Sequence, residues 1–262
     1  MKYSLSAKNL VCRNLEAKAS YCAGLLNPDH TREITGVLRT DSGLLSHTFN
    51  QVVSNAVMPS RILQRFVVDY FAERHSPFTL WHCANKPLDH AELAELGVVR
   101  QDTLVAMAVE VQRLAADDQC PPELELAPAA AEEIADYAEL QAEAFNGARE
   151  GPQIKKFYRK LQELPEHKRG RLKLFLGKWE GRPVAAGCLF ASADALGLYD
   201  LITREEYRGR GIGRALFNYL VAQALDSHHK HAVSLTPVER QELYLETGFF
   251  AVGEVTRYRY EP

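Results

Sequence analysis

The residues best suited to chemistry form the glycine-rich segment Arg208-Gly209-Arg210-Gly211-Ile212-Gly213, which lies between a predicted strand and a predicted helix. Closely spaced glycines let backbone N–H groups converge on an anion, and the N-terminus of the following helix adds the positive end of its dipole. The guanidinium groups of Arg208, Arg210 and Arg214 surround the loop and suit phosphate oxygens. The sequence therefore predicts a phosphate or pyrophosphate site at this loop.

The spacing of the glycines excludes two common phosphate-binding motifs. The dinucleotide fingerprint G-x-G-x-x-G would need glycine at position 214 or 216, where the chain has Arg214 and Leu216. A nucleoside triphosphate loop needs Gly-Lys followed by Ser or Thr, and the sequence contains no such triplet. A third interpretation, a turn that only packs a helix against a strand, stays open on the loop alone.

Two segments resemble motifs A and B of the GCN5-related N-acetyltransferases (GNAT). Arg208-x-x-Gly211-x-Gly213, preceded by Tyr199-Asp200-Leu201-Ile202-Thr203, resembles motif A. About thirty residues later, Leu243-Tyr244-Leu245-Glu246-Thr247-Gly248-Phe249 resembles motif B, written L-Y-x-x-x-G-F. The order of predicted elements over residues 126–260 also matches the family, so the resemblance covers the whole C-terminal half of the chain.

The resemblance implies a site for acetyl-coenzyme A. In the family the loop holds the pyrophosphate, and backbone groups of the preceding strand pair with the pantetheine arm. The implied cofactor-binding residues are Leu201, Ile202, Thr203, Arg208, Gly209, Arg210, Gly211, Ile212, Gly213 and Arg214.

The resemblance also implies direct attack of an amine on the thioester, with Tyr244 as the catalytic acid. Tyr244 matches the tyrosine that often protonates the departing thiolate; the alternative is that its ring only fills the core. The family's frequent glutamate base falls near Ala195, which cannot accept a proton. Strand alternation predicts that Asp200 lies on the face opposite Leu201, so no general base is predicted.

The predicted function is transfer of an acetyl group from acetyl-coenzyme A to an amine of a small molecule or peptide. The alternative is a non-catalytic acyl-coenzyme A sensor or regulatory module, because the glutamate is missing. A nicotinamide-dependent enzyme is disfavoured by the glycine spacing. Between Lys155 and Arg182, ten Lys or Arg face three Glu, which could favour an acidic acceptor if this stretch flanks the acceptor entrance.

The sequence predicts that the elements which position these residues belong to two domains, 1–120 and 121–262. The boundary is placed at the paired prolines Pro121-Pro122. The predicted fold class is α/β (α+β): tandem GNAT-like domains, each a mixed, mostly antiparallel central sheet flanked by helices. The first half contains no Arg-x-x-Gly-x-Gly loop and is predicted to be a degenerate GNAT-like domain that serves as structure or as a wall of the acceptor cleft.

The predicted elements follow from hydrophobic periodicity and from helix stop signals. Predicted helices are 52–73, 89–96, 130–145 (closed by Asn146-Gly147), 152–164, 214–225 and 239–247. Predicted strands are 77–83, 104–111, 171–179, 184–191, 195–203, 231–236 and 249–258.

Composition places the chain among ordinary globular proteins. Its 262 residues are 46% hydrophobic and 25% charged, and the net charge of −3 predicts neither a nucleic-acid partner nor a membrane partner. No apolar run reaches the roughly 20 residues of a membrane span, so a cytoplasmic location is expected. The five cysteines include no C-x-x-C pair, and His228, His229 and His231 follow a predicted helix end, so no metal is predicted.

Overall fold

The computed structural model describes residues 2–29, 31–57, 59–145 and 149–262, with side chains described from residue 7 onward. The strands are β1 (Thr31–Ile34), β2 (Val37–Thr40), β3 (Gln51–Ser54), β4 (Phe78–His82), β5 (Val98–Glu110), β6 (Leu124–Pro128), β7 (Leu172–Trp179), β8 (Arg182–Ala191), β9 (Leu196–Thr203), β10 (His231–Thr236) and β11 (Phe250–Tyr260). The helices are α1 (Lys2–Gly24), α2 (Ser60–Leu63), α3 (Asp69–Ala72), α4 (His90–Glu95), α5 (Ile134–Glu143), α6 (Glu150–Glu163), α7 (Glu166–Arg169), α8 (Ile212–Leu225) and α9 (Gln241–Glu246). A π-helical segment, Gln64–Val68, joins α2 to α3.

Within these ranges the strands form one continuous sheet in the order β1-β2-β3-β4-β11-β5-β10-β9-β8-β7-β6. Neighbouring strands are antiparallel except for two parallel pairs, β3 with β4 and β9 with β10. The architecture is thus a mixed, mostly antiparallel sheet flanked by helices, as predicted. The sheet continues from one half of the chain into the other.

The same order of elements occurs twice along the chain. The first copy runs from β1 to β5 and the second from β7 to β11. Each consists of three antiparallel strands, a helical segment, a parallel strand, a short helix and a long final strand. The two final strands exchange places, because β11 lies between β4 and β5 while β5 lies between β11 and β10. Both halves therefore share the centre of the sheet, and assignment of residues 1–120 and 121–262 to two domains stays a prediction.

Two helical predictions differ from the structure. The predicted helix 52–73 is wrong at its start, because Val52 and Val53 lie in β3, fully buried between β2 and β4. Pairing with the two neighbouring strands stabilises an extended backbone there more than the helical spacing of the apolar residues favours a helix. The predicted helix 130–145 is an α-helix only over α5, preceded by a single 3₁₀ turn at Ala131–Glu133. The expected stop signal, Asn146-Gly147, lies outside the described residues.

The long helix α1, which the sequence patterns did not predict, packs across the shared centre of the sheet. It buries Val11, Leu15 and Ala19. The buried Asn14 side chain donates to the Ala195 carbonyl oxygen at 2.8 Å and accepts from the Tyr199 hydroxyl at 2.7 Å. These hydrogen bonds attach α1 to β9, the strand that precedes the glycine loop. No helix in the described ranges is long and apolar enough to cross a membrane.

Candidate functional site

The parallel strands β9 and β10 separate partway along their length. They pair over three positions only, from Leu196 opposite Ala232 to Leu198 opposite Ser234. Beyond Leu198, β9 keeps its pairing with β8 but has no partner on the β10 side. The corresponding pair in the first half, β3 and β4, stays paired along all four positions of β3. The open edge at residues 201–203 therefore offers backbone groups to an extended ligand.

A β-bulge lies where this separation begins, and because of it Asp200 is placed differently from the prediction. Tyr199 lies opposite Cys188 and Ile202 opposite Ala186, so Asp200 and Leu201 share one position on β8. Asp200 has a positive φ of 58°. The extra residue breaks strand alternation, and Asp200 and Leu201 both line the same cleft.

The glycine loop lies at the N-terminus of α8, as predicted. Gly209 and Gly211 have φ values of 77° and 79°, which L side chains rarely adopt, and Gly211 is the N-cap of the helix. A Cβ atom added at Gly209 would meet nothing within 4 Å, and one at Gly211 would meet only Pro121 at 3.9 Å. At Gly213 it would lie 3.3 Å from the Thr203 hydroxyl oxygen. The first two glycines thus leave space for an anion, and the third allows close approach of helix and strand.

The predicted arginines differ in what they contact. Arg208 lines the cleft and donates to the Thr203 carbonyl oxygen at 3.2 Å. Arg214 also lines it and forms an ion pair with Glu246 of the motif B segment. The Arg210 guanidinium instead lies over the rings of Trp179 and Tyr207, 5.6 and 5.3 Å from their centroids. Arg210 therefore supports the loop from outside the cleft lining.

Arg240, which sequence reasoning missed, is a further cation at this end of the cleft. It lies at the start of α9 and lines the cleft without an ion pair within 4 Å among the described residues. No motif position marked it.

The Tyr244 hydroxyl lies at the point where β9 and β10 separate. It is 3.1 Å from the Ser234 hydroxyl oxygen, which donates to the Leu198 carbonyl oxygen at 2.8 Å. The side chain is buried, and its ring packs 4.5 Å from the ring of Phe217. Burial raises the pKa of Tyr244, while hydrogen bonds with Ser234 and Thr236 oppose the rise. The phenol therefore keeps its proton at neutral pH, and the ring fills the core at the same time.

The cleft has a volume of about 720 Å³ and extends from the glycine loop into the first half of the chain. We call this extension the distal chamber. The residues that define it are Lys18, His47, Thr48, Trp81, Arg257 and Arg259. Sequence reasoning missed all six, because they come from α1, the β2–β3 connection, β4 and β11, which only the fold brings together.

A partly buried ion pair lies where the distal chamber meets the separated strands. Lys18 Nζ lies 3.0 Å from Asp200 Oδ2, and the Cys188 thiol lies 3.2 Å from the same oxygen. Burial lowers the pKa of Lys18, but Asp200 together with Cys188 and Cys22 raises it more, so the net shift is upward. Lys18 therefore stays charged and neutralises Asp200, the single carboxylate among the described residues that line the cleft.

The basic stretch between Lys155 and Arg182 borders the cleft through Phe157, Tyr158 and Leu172, not through its charged side chains. None of its ten cations lines the cleft, and several form surface ion pairs: Lys155 with Glu139, Lys160 with Glu163, and Lys178 with Glu133. In the described ranges, no group of three or more His, Cys, Asp or Glu side chains could hold a metal ion.

Comparisons with known proteins give a family for the second half and a fold for the whole chain. Residues 134–249 match the sequence model of the acetyltransferase (GNAT) family. A comparison with curated proteins found no match.

Solved structures resemble the whole chain. A GCN5-related N-acetyltransferase from Kribbella flavida aligns with a TM-score of 0.67 and 16% identity over 94% of this chain and 95% of that chain. A functionally unknown conserved protein from Staphylococcus epidermidis ATCC 12228 gives 0.68 and 13% over 89% and 94%. A tandem GNAT protein from the clavulanic acid biosynthesis pathway gives 0.55 and 11% over 97% and 95%. These likenesses confirm the predicted fold class.

Proposed function

We propose that this chain transfers an acetyl group from acetyl-coenzyme A to an amine, since residues 134–249 match the model of the acetyltransferase (GNAT) family. The observation that carries the proposal is that three features meet in one cleft. They are the separation of β9 and β10, the glycine loop at the N-terminus of α8, and the Tyr244 hydroxyl at the point of separation. A loop that only packed a helix on a strand would need neither the open strand edge nor space beside Gly209.

The residues present fit acetyl-coenzyme A, which supplies the activated thioester. Backbone N–H groups of residues 209–214, the dipole of α8 and the Arg208 guanidinium would hold the pyrophosphate. Ile212 and Arg214 begin the helix, and Arg210 braces the loop through its aromatic contacts. The open edge of Leu201, Ile202 and Thr203 would pair with the pantetheine arm, as a peptide adds to a sheet edge.

Two groups of the chain act in the reaction that we propose. A backbone N–H of the open β9 edge stabilises the negative charge that develops on the carbonyl oxygen as the amine attacks. Tyr244 then protonates the departing sulfur, since its hydroxyl lies where the strands diverge and keeps its proton at neutral pH.

The first half of the chain is proposed as a structural partner that also walls the acceptor side of the cleft. Its parallel pair β3–β4 is closed over all four positions, so it offers no edge for a pantetheine arm. It contributes Lys18, His47 and Trp81 to the distal chamber. The acceptor would be a small-molecule or peptide amine, and the unpaired cysteines suit a reducing, cytoplasmic location.

Release of free coenzyme A thiol tests the proposal. The full chain is incubated with acetyl-coenzyme A and a panel of primary amines, and thiol is followed with and without each amine. We expect amine-dependent release together with an acetylated product of the same amine. Binding of acetyl-coenzyme A without release for any amine would contradict the proposal and identify the non-catalytic sensor instead.

A further inference from the structure

We propose that the distal chamber binds an anionic group, a carboxylate or a phosphate, carried by the acceptor amine at the end away from the reacting nitrogen. This inference rests on the proposed function and adds the chemical class of the acceptor. It starts from β11, which presents Arg257 and Arg259 two residues apart on the same face of the strand and therefore to the same chamber.

Of these two arginines, Arg259 is the one with charge to offer a ligand. Arg257 forms two hydrogen bonds with Asp102, at 2.9 and 2.5 Å, and its charge is compensated there. Arg259 is half-buried and has no ion pair within 4 Å among the described residues. Arg259 also acts on Glu261 electrostatically. It lowers the pKa of that carboxyl, although burial raises the pKa by more. A half-buried guanidinium without a paired carboxylate is a natural site for an anion.

The titratable groups around Arg259 include His47, Glu150 and Glu261, and neither carboxyl forms an ion pair with Arg259 within 4 Å. Burial lowers the pKa of His47, Arg259 and Arg257 add to the decrease and Glu150 opposes it, and together they bring it to about 4. His47 is therefore neutral at pH 7. Glu150 is directed to His47 and to the Ser46 hydroxyl, and Lys18 and Asp200 neutralise each other.

Two buried polar groups of the distal chamber also lack a partner. The Thr48 hydroxyl and the Trp81 indole N–H have no hydrogen-bond partner among the described residues, although both are buried. Buried donors are rarely left unpaired, because each costs about 1–3 kcal/mol. Both side chains line the same cleft as Arg259.

The order of the strands sets the length of the acceptor. Arg259 lies on β11, three strands from the open edge of β9, in the order β11-β5-β10-β9. Three spacings of about 4.8 Å give on the order of 14 Å across the sheet. The register adds a distance along the strands, because Arg259 is level with Val99 whereas Thr236, beside the open edge, is level with Val105. Six residues at about 3.3 Å each add roughly 20 Å along the strands, from which the long arginine side chain can subtract several ångströms, so the acceptor is expected to be extended, about the length of a peptide of five residues or more.

The test uses matched amines that differ only in the anion. Pentaglycine is compared with pentaglycinamide, and a long-chain aminoalkyl phosphate with the amino alcohol of the same length. Thiol release gives kcat/KM, and calorimetry with coenzyme A bound gives affinity for each amine, so the chamber is tested even without turnover. The variants are Arg259→Gln and Arg259→Lys, with Arg100→Gln as the control, because Arg100 is exposed on the neighbouring strand outside the cleft.

We expect the unaltered chain to prefer one anionic amine over its neutral match by about tenfold or more, the usual effect of a hydrogen bond to a charged group. Arg259→Gln should remove that preference, Arg259→Lys should keep part of it, and Arg100→Gln should keep all of it. Which anion is preferred distinguishes carboxylate from phosphate. Equal preference in the unaltered chain and in Arg259→Gln would overturn the inference.

Loss of affinity for acetyl-coenzyme A in Arg259→Gln would also overturn the inference, because Arg259 would then serve the coenzyme. Thiol release that is absent for every amine, with preferential binding of the anionic amine intact, would instead contradict the proposed function alone.

Discussion

At the residue scale, the cleft depends on backbone positions that a side chain would block and on one buried hydroxyl. Gly211 combines a φ of 79° with open space on the side that faces the cleft. Tyr244 serves the core with its ring and the cleft with its hydroxyl. Each role can be removed separately by a single substitution.

Gly211→Val should abolish binding of coenzyme A while the fold persists. The branched Cβ would occupy the space open to the pyrophosphate, and the left-handed backbone would be strained by about 1–2 kcal/mol. Gly181→Val is the matched control, because Gly181 has a φ of 80° and open space but lies in the β7–β8 turn. Calorimetry should show at least tenfold weaker binding for Gly211→Val only. Equal affinities in the two variants would show that the loop does not hold the coenzyme.

Tyr244→Phe should lower turnover by roughly 10²–10⁴-fold, the usual contribution of a positioned proton donor. Affinity for coenzyme A should change little, since the loss belongs to the transition state. Tyr219→Phe, on α8 against Phe175, controls for removal of a tyrosine hydroxyl elsewhere. Near-normal turnover in Tyr244→Phe, with a lower melting temperature, would show that Tyr244 fills the core and is not the proton donor.

At the scale of elements, the exchanged strands β5 and β11 make each half depend on the other. β5 pairs with β10 from Val105 to Glu110, and with β11 from Val98 to Ala108. Without β5, the strands β10 and β11 would have no contact with each other in the sheet order.

Residues 121–262 expressed alone should therefore fail to fold cooperatively. β10 would keep only its three pairing positions with β9, and Tyr244 would lose the support of the buried Met107 and Val109 in its core cluster. Circular dichroism on heating should show no sharp transition, and addition of residues 1–120 should restore one. A cooperative transition and coenzyme A binding by residues 121–262 alone would contradict this dependence.

The elements that sequence reasoning found are those fixed by local signals. The strand, loop and helix around Gly211 follow one another directly, and the type of each residue carries the geometry that it needs. The bulge at Asp200 could not be predicted, because it depends on the register with β8. The distal chamber could not be predicted either, since it exists only once α1, β4 and β11 are packed together.

At the scale of the whole molecule, a polar contact joins the two halves beside the distal chamber. His47 Nε2, from the first half, lies 3.5 Å from Glu150 Oε2 at the start of α6, and the His47 ring lies 5.8 Å from that of Phe145. The side chains of His47 and Glu150 are nearly inaccessible to solvent. The contact therefore links stability of the whole chain to the protonation of His47.

Stability should fall as the pH decreases from about 6.5 toward 4. The pKa of His47 is lowered by burial from 6.5 to about 4, so the unfolded chain takes up this proton first and acidification favours it. Burial lowers the pKa of His82 in the same direction. The decrease in melting temperature from pH 7 to pH 5 should be smaller in His47→Gln than in the unaltered chain or in His228→Gln, which changes an exposed histidine. An unchanged decrease in His47→Gln would exclude His47 as its cause.

The central claim, that the cleft carries an acetyl group from a thioester to an amine, is tested most directly by following the acetyl carbon. Acetyl-coenzyme A labelled with ¹³C at the carbonyl is mixed with the full chain and the amine panel, and the carbonyl resonance is recorded over time. We predict that the thioester signal is replaced by an acetamide signal of one amine, and that Gly211→Val prevents the change. A thioester signal that persists with every amine, or that gives only free acetate, would contradict the claim.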